Sequence, residues 1–105
     1  MLADELDFVV GVDSHRDWHA IAVVEVRNGV VVSEARVLAN SSGYRDALRL
    51  VEHHASGRRA FAIEGTGSYG AGLTRFLAER GERVFEVGVD SAGTSLGRKD
   101  RRARR

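Results

Sequence analysis

The chain has no cysteine and no proline. The first absence excludes disulfides and thiolate–metal sites; the second is unusual but decides nothing about function. No run approaches the roughly 18 apolar residues of a membrane span. The opening Met1-Leu2-Ala3-Asp4-Glu5 is acidic and lacks a signal-peptide pattern, so a cytoplasmic protein is the simplest expectation. What is present is ordinary for a globular protein: 105 residues, 43% apolar and 30% charged, enough for one domain with a single core.

The net charge of +1 hides an asymmetry. Residues 98–105 hold six of the 16 basic residues and one of the 15 acidic ones, so this end carries +5 and the remainder −4. An acidic body with a dense basic end fits nucleic-acid contact through that end, with Arg98, Lys99, Arg101, Arg102, Arg104 and Arg105 meeting phosphates. A solvated tail is the plainer alternative.

Phe8 to Asp13 reads as a nearly continuous apolar strand, Trp18 to Val26 as a second and Val30 to Leu38 as a third. Asn28-Gly29 marks a hairpin between the last two. Ser33, Glu34 and Arg36 suggest that the third strand lies at a sheet edge. Asn40-Ser41-Ser42 supplies helix caps, and Tyr44, Ala47, Leu48 and Val51 recur at helical spacing to about His54. A fourth strand spans Ala60 to Glu64, a second helix Ser68 to Glu79, and a fifth strand Arg83 to Val87. Beyond Gly88 periodicity is lost, and residues 91–105 are expected to be a mobile basic tail after a domain of residues 1–90.

The order β-β-β-α-β-α-β, with right-handed crossovers, predicts an α/β fold with a mixed five-stranded sheet in the order 3-2-1-4-5, the ribonuclease-H-like arrangement. Strands one and four are then adjacent and parallel. Asp13 and Glu64 close those two strands, where α/β sheets place their ligands. Two neighbouring carboxylates repel unless a cation lies between them, and hard divalent ions prefer all-oxygen sites. The pair therefore predicts a Mg²⁺ (or Mn²⁺) site and phosphoryl-transfer chemistry on nucleic acid.

Two segments carry a family resemblance. Val10-Gly11-Val12-Asp13-Ser14-His15-Arg16-Asp17-Trp18-His19 looks like the opening of the insertion-sequence-110 transposases, and Ile63-Glu64-Gly65-Thr66-Gly67-Ser68-Tyr69-Gly70 resembles their Glu-Gly-Thr-Gly-x-Tyr segment. Ser42-Gly43-Tyr44 and Gly97-Arg98-Lys99-Asp100 are weaker matches. The resemblance spans roughly residues 8–100. It implies a RuvC-like domain whose four acids, Asp-Glu-Asp-Asp, hold divalent metal, the first three falling on Asp13, Glu64 and Asp100. Ala103 stands where the fourth is expected, and no serine-nucleophile domain follows Arg105. The expectation is thus a truncated, DNA-binding transposase domain without independent recombinase activity. By the same resemblance, full-length relatives use a structural guide RNA and act as homo-oligomers.

Competing readings attach to several residues. Gly65, Gly67 and Gly70 satisfy a dinucleotide pattern, but Glu64 would set a negative charge beside a pyrophosphate, and too little chain follows for a second nucleotide-binding half. A tight turn whose amides face a nucleic-acid phosphate fits better, with Gly65, Thr66, Gly67 and Tyr69 as candidate contacts. Tyr69 reads equally as a base-stacking or a packing residue. His15 and His19 read equally as polar turn residues or as groups near the acid pair; Trp18 and Phe8 read as core or sheet-face residues. A catalytically inactive remnant and an actin-like ATP-binding lobe are the rival functions. The second suffers from Ser14-His15-Arg16-Asp17, a poor phosphate cradle.

Overall fold

Alternation in the first apolar run decides the layout of the sheet. In β1 (Phe8–Ser14), Val10, Val12 and Ser14 are buried on one face, while Val9, Gly11 and Asp13 turn to the other. β2 (Trp18–Glu25) repeats the pattern with His19, Ile21 and Val23 inward. β3 (Val30–Leu38) completes an antiparallel meander and buries only Val37. The computed structural model describes residues 6–64, 69–89 and 95–101.

The hairpin between β2 and β3 is wider than a two-residue Asn-Gly turn. Only Gly29 takes a positive φ (71°), its N–H donating to the Glu25 carbonyl at 2.8 Å. Asn28 braces the loop, accepting from the Val30 N–H at 3.0 Å. The Asn-Gly signal marked the reversal but not its length.

Helix α1 (Ser41–His54) begins where Asn40 Oδ1 accepts the Gly43 N–H at 2.9 Å, satisfying one of the free donors of the first turn. Gly43, Ala47 and Val51 form its buried stripe. β4 (Arg59–Glu64) follows, then α2 (Ala71–Glu79). Gly81 (φ 83°) ends α2: its N–H reaches Ala78 and the Glu82 N–H reaches Leu77, both at 3.0 Å, the paired bonds of a Schellman cap. β5 (Val84–Val89) and β6 (Ser95–Arg101) complete the described elements.

The strand order is β3-β2-β1-β4-β5-β6, with β1, β4 and β5 parallel. The five-strand order expected from sequence holds, and a sixth strand extends it. Residues 95–101, expected within a mobile basic tail, instead pair antiparallel with β5. Gly97-Arg98-Lys99-Asp100-Arg101 shows no apolar alternation, so no pattern announced it. An outermost strand needs only a neighbour's ladder for its backbone, and that is a tertiary property.

Both helices lie on one face. A single core joins Val10, Val12, Ile21, Val23, Phe61, Ile63 and Val84 of the strands to Ala47, Val51, Leu73 and Leu77 of the helices. On the opposite face a small cluster of Leu6, Ala60 and Phe85 packs with Val9 and Val26. The rest of that face carries no helix among the described residues. No described helix is long and apolar enough to cross a membrane.

Candidate functional site

β1 and β4 run in parallel register with Asp13 directly beside Glu64. Neighbouring strands lie about 4.8 Å apart, so the two carboxylates leave the sheet side by side. Both are exposed, and both project from the helix-free face at the carboxyl ends of their strands. The expectation that these distant residues meet at one rim is met. Ser14 locks the rung: its buried hydroxyl donates to the Glu64 carbonyl at 3.1 Å.

A stack of rings and charges flanks Asp13. His15 Nε2 stands 3.2 Å from Asp13 Oδ2. The imidazole stacks on Trp18, centroids 3.9 Å apart and planes at 19°. The Arg36 guanidinium lies 4.2 Å from the Trp18 ring centre. The tight turn after β1 makes this possible, because the His15 N–H bonds the Trp18 carbonyl at 3.1 Å. Sequence reasoning missed Arg36 and the grouping of all three side chains. The short spacing from His15 to Trp18 around a turn was the one available signal, whereas Arg36 arrives through β2–β3 pairing.

His19 is not a turn residue but part of the core, fully buried as β2 alternation demands. Its ring lies 6.1 Å from Tyr44 and nearly parallel to it. Nδ1 accepts the His15 N–H at 3.2 Å, which places the proton on Nε2. Nε2 has no hydrogen-bond partner among the described residues. Burial holds the His19 pKa below the usual histidine value by disfavouring the charged ring, and the nearby His15 adds to the effect.

The acids border an open groove of about 690 Å³ on the helix-free face. Gly11, Ala20, Ala22 and Ala62 pave it, and Glu34 and Arg36 form its far side. The start of α2 is drawn against the same rim. A Cβ on Gly70 would come within 2.9 Å of Ile63 Cγ2 and 3.4 Å of Ser14 Oγ, so glycine permits the approach. Tyr69, immediately before it in the chain, is 48% exposed.

The expected site residues on β6 stand apart from this pair. Asp100 sits opposite Phe85 on β6, and Phe85 opposite Ala62. Its backbone is thus two strands from β4 and two residues below the Asp13–Glu64 rung. Lys99 is opposite Glu86, Arg101 opposite Val84, and Arg98 lies within the same strand. Gly65, Thr66, Gly67, Arg102, Arg104 and Arg105 lie outside the described residues. Among the described residues no group of three or more His, Cys, Asp or Glu side chains stands ready to hold a metal ion. The chemistry of the two-carboxylate rim nevertheless suits Mg²⁺, which keeps several waters and needs only one or two carboxylates.

No family model matches the chain, and no curated protein does either.

Proposed function

We propose that this chain is a ribonuclease-H-like domain of an insertion-sequence-110-type transposase, acting on DNA in the cytoplasm, with Asp13 and Glu64 as its divalent-metal ligands. The observation that carries the reading is the shared rung of those two acids at the open edge of adjacent parallel strands. Mg²⁺ or Mn²⁺ bound there would activate a water or hydroxyl and stabilise the leaving oxygen of a phosphodiester. The chain's own residues do the rest. His15 orients Asp13, Ser14 fixes the Glu64 backbone, and the amides opening α2 beside Tyr69 suit a nucleic-acid phosphate. The basic residues from Arg98 onward supply phosphate contacts without sequence preference. Asp100 enters as a third ligand only by resemblance, and a guide RNA and homo-oligomeric assembly are likewise carried over from the family.

A second reading, a noncatalytic nucleic-acid-binding module, is favoured by the two-donor rim. Two measurements separate them. Calorimetric titration of Mg²⁺ and Mn²⁺ should give binding heat in the wild type and none in Asp13→Ala/Glu64→Ala; identical heats remove the metal claim. Cleavage of branched DNA with Mn²⁺ that disappears in the same variant supports an active domain, while binding without cleavage supports the noncatalytic module.

A further inference from the structure

We propose that the free edge of β3 pairs with the same edge of a second copy of this chain, two-fold about Ala35, to form one continuous sheet. β3 ends the strand order, and nothing among the described residues pairs with its outer side. It is also unusually apolar for an edge: Val30, Val31, Val32 and Leu38 are 50%, 46%, 40% and 59% exposed. An unguarded strand of this kind is a template for another strand.

The charges on β3 select the partner. Glu34 pairs with Ala22 and Arg36 with Ala20, so both side chains rise from the helix-free face on either side of Ala35. In an antiparallel two-fold pair centred on Ala35, Glu34 of each copy stands opposite Arg36 of the other. Two cross-strand ion pairs form by symmetry. Centring on Glu34 or on Arg36 would instead set like charges against each other, and centring on Ser33 would leave both charges opposite valines. The β2–β3 register skips Val32, an irregularity that limits the regular new ladder to residues 33–37. Val32 and Leu38 then flank it at each end. The same two charges that discourage indiscriminate strand addition specify this one.

The pairing leaves both helix-free faces on the same side. It sets the two Asp13 strands five strand spacings apart across the sheet, about 24 Å, and the two Glu64 strands seven. It does not depend on the metal reading, because no metal ligand lies in the interface. One strand per copy is a small contact, so the dimer is expected to be concentration-dependent.

Sedimentation equilibrium over a wide range of chain concentration should show reversible dimerisation. Glu34→Arg and Arg36→Glu should each weaken it at least about tenfold, by replacing two attractive pairs with two repulsive ones. Mixing the two single variants should restore a heterodimer, since every 34–36 contact is then of opposite charge. The chain has no cysteine, so Ala35→Cys introduces a single thiol on the two-fold axis. Directly opposed antiparallel residues have Cα separations of about 4.5–5.5 Å, within disulfide reach, and this variant should cross-link on mild oxidation far faster than Ser33→Cys. Circular dichroism confirms that each variant is folded. A wild-type mass that stays monomeric throughout, dimers unaffected by both charge reversals, or equal cross-linking at residues 33 and 35 would overturn the proposal.

Discussion

The backbone N–H of His15 donates to Nδ1 of His19 at 3.2 Å, so a fully buried imidazole holds the turn that carries the His15 ring to Asp13. The turn beneath the rim therefore rests in part on an unprotonated ring nitrogen in the core, which shares the His15 N–H with the Trp18 carbonyl. Protonating this ring nitrogen would remove it as an acceptor for the His15 N–H.

Burial lowers the folded-state pKa of His19 below the unfolded value of about 6.5. As pH falls below about 6.5, the unfolded chain takes up a proton that the folded chain refuses. Stability is then full above that pH and declines below it, down to the folded-state pKa. His19→Leu should flatten this part of the profile. It should also cost about 0.5 kcal/mol at neutral pH through loss of one of the two acceptors of the His15 N–H, the Trp18 carbonyl remaining. Urea unfolding of both proteins at pH about 8 and about 5.5 checks the prediction; an unchanged slope in the variant would assign the effect elsewhere.

Asp13 and Glu64 place like charges on one rung. Without divalent ions, Glu64→Gln should raise stability by up to about 0.5 kcal/mol, because like charges directly opposed weaken a sheet. Adding Mg²⁺ should raise the melting temperature of the wild type and leave the variant unmoved. Thermal denaturation with EDTA and with Mg²⁺ reads both effects.

Gly43 sits in the first turn of α1 against the end of β3, where an added Cβ would strike the Leu38 carbonyl. Alanine is the better helix former, so Gly43→Ala isolates the steric penalty. A loss of about 3 kcal/mol is expected, because backbone rather than a mobile side chain has to yield. Denaturant midpoints at constant m-value measure it.

Arg59 and Glu82 form a two-pronged ion pair, Nη2 to Oε2 at 2.7 Å and Nε to Oε1 at 3.1 Å, with side chains only 16% and 14% exposed. The Glu82 hydrogen bonds hold the guanidinium even more firmly in its charged form. Glu82→Ala should cost about 2 kcal/mol, since it strands a largely buried cation. The exchanged pair Arg59→Glu/Glu82→Arg should recover only part of this, because Arg59 also donates to the Ala55 carbonyl at 2.8 Å. A double-mutant cycle by urea unfolding gives the coupling.

Much of this arrangement was legible in the amino-acid order because it rests on local periodicity. Val10 and Val12 alternating with Gly11 and Asp13, and the helical spacing of Tyr44, Ala47 and Val51, each require only short stretches of chain. From these and the handedness of crossovers followed the order of five strands, the edge position of β3 and the meeting of Asp13 with Glu64. Other features depend on partners far along the chain. Residues 95–101 are charged and aperiodic, and only the ladder offered by β5 makes them a strand. Arg36 reaches Trp18 because β3 lies on β2, not through any motif. His19 looks like a polar turn residue until the inward side of β2 is known.

The sequence by itself determined the stretches that become β1 to β5 and both helices, where they turn, and which acids close the two central strands. Alternation, helical repeat and capping act within a few residues, which is why those features could be read. Only the tertiary structure decided that His19 is buried, that Asp100 sits away from the Asp13–Glu64 rung, and that among the described residues no helix covers one face of the sheet and no strand pairs with the outer edge of β3. Those outcomes follow from which surfaces meet when distant segments pack, and no short stretch of sequence encodes its own neighbour.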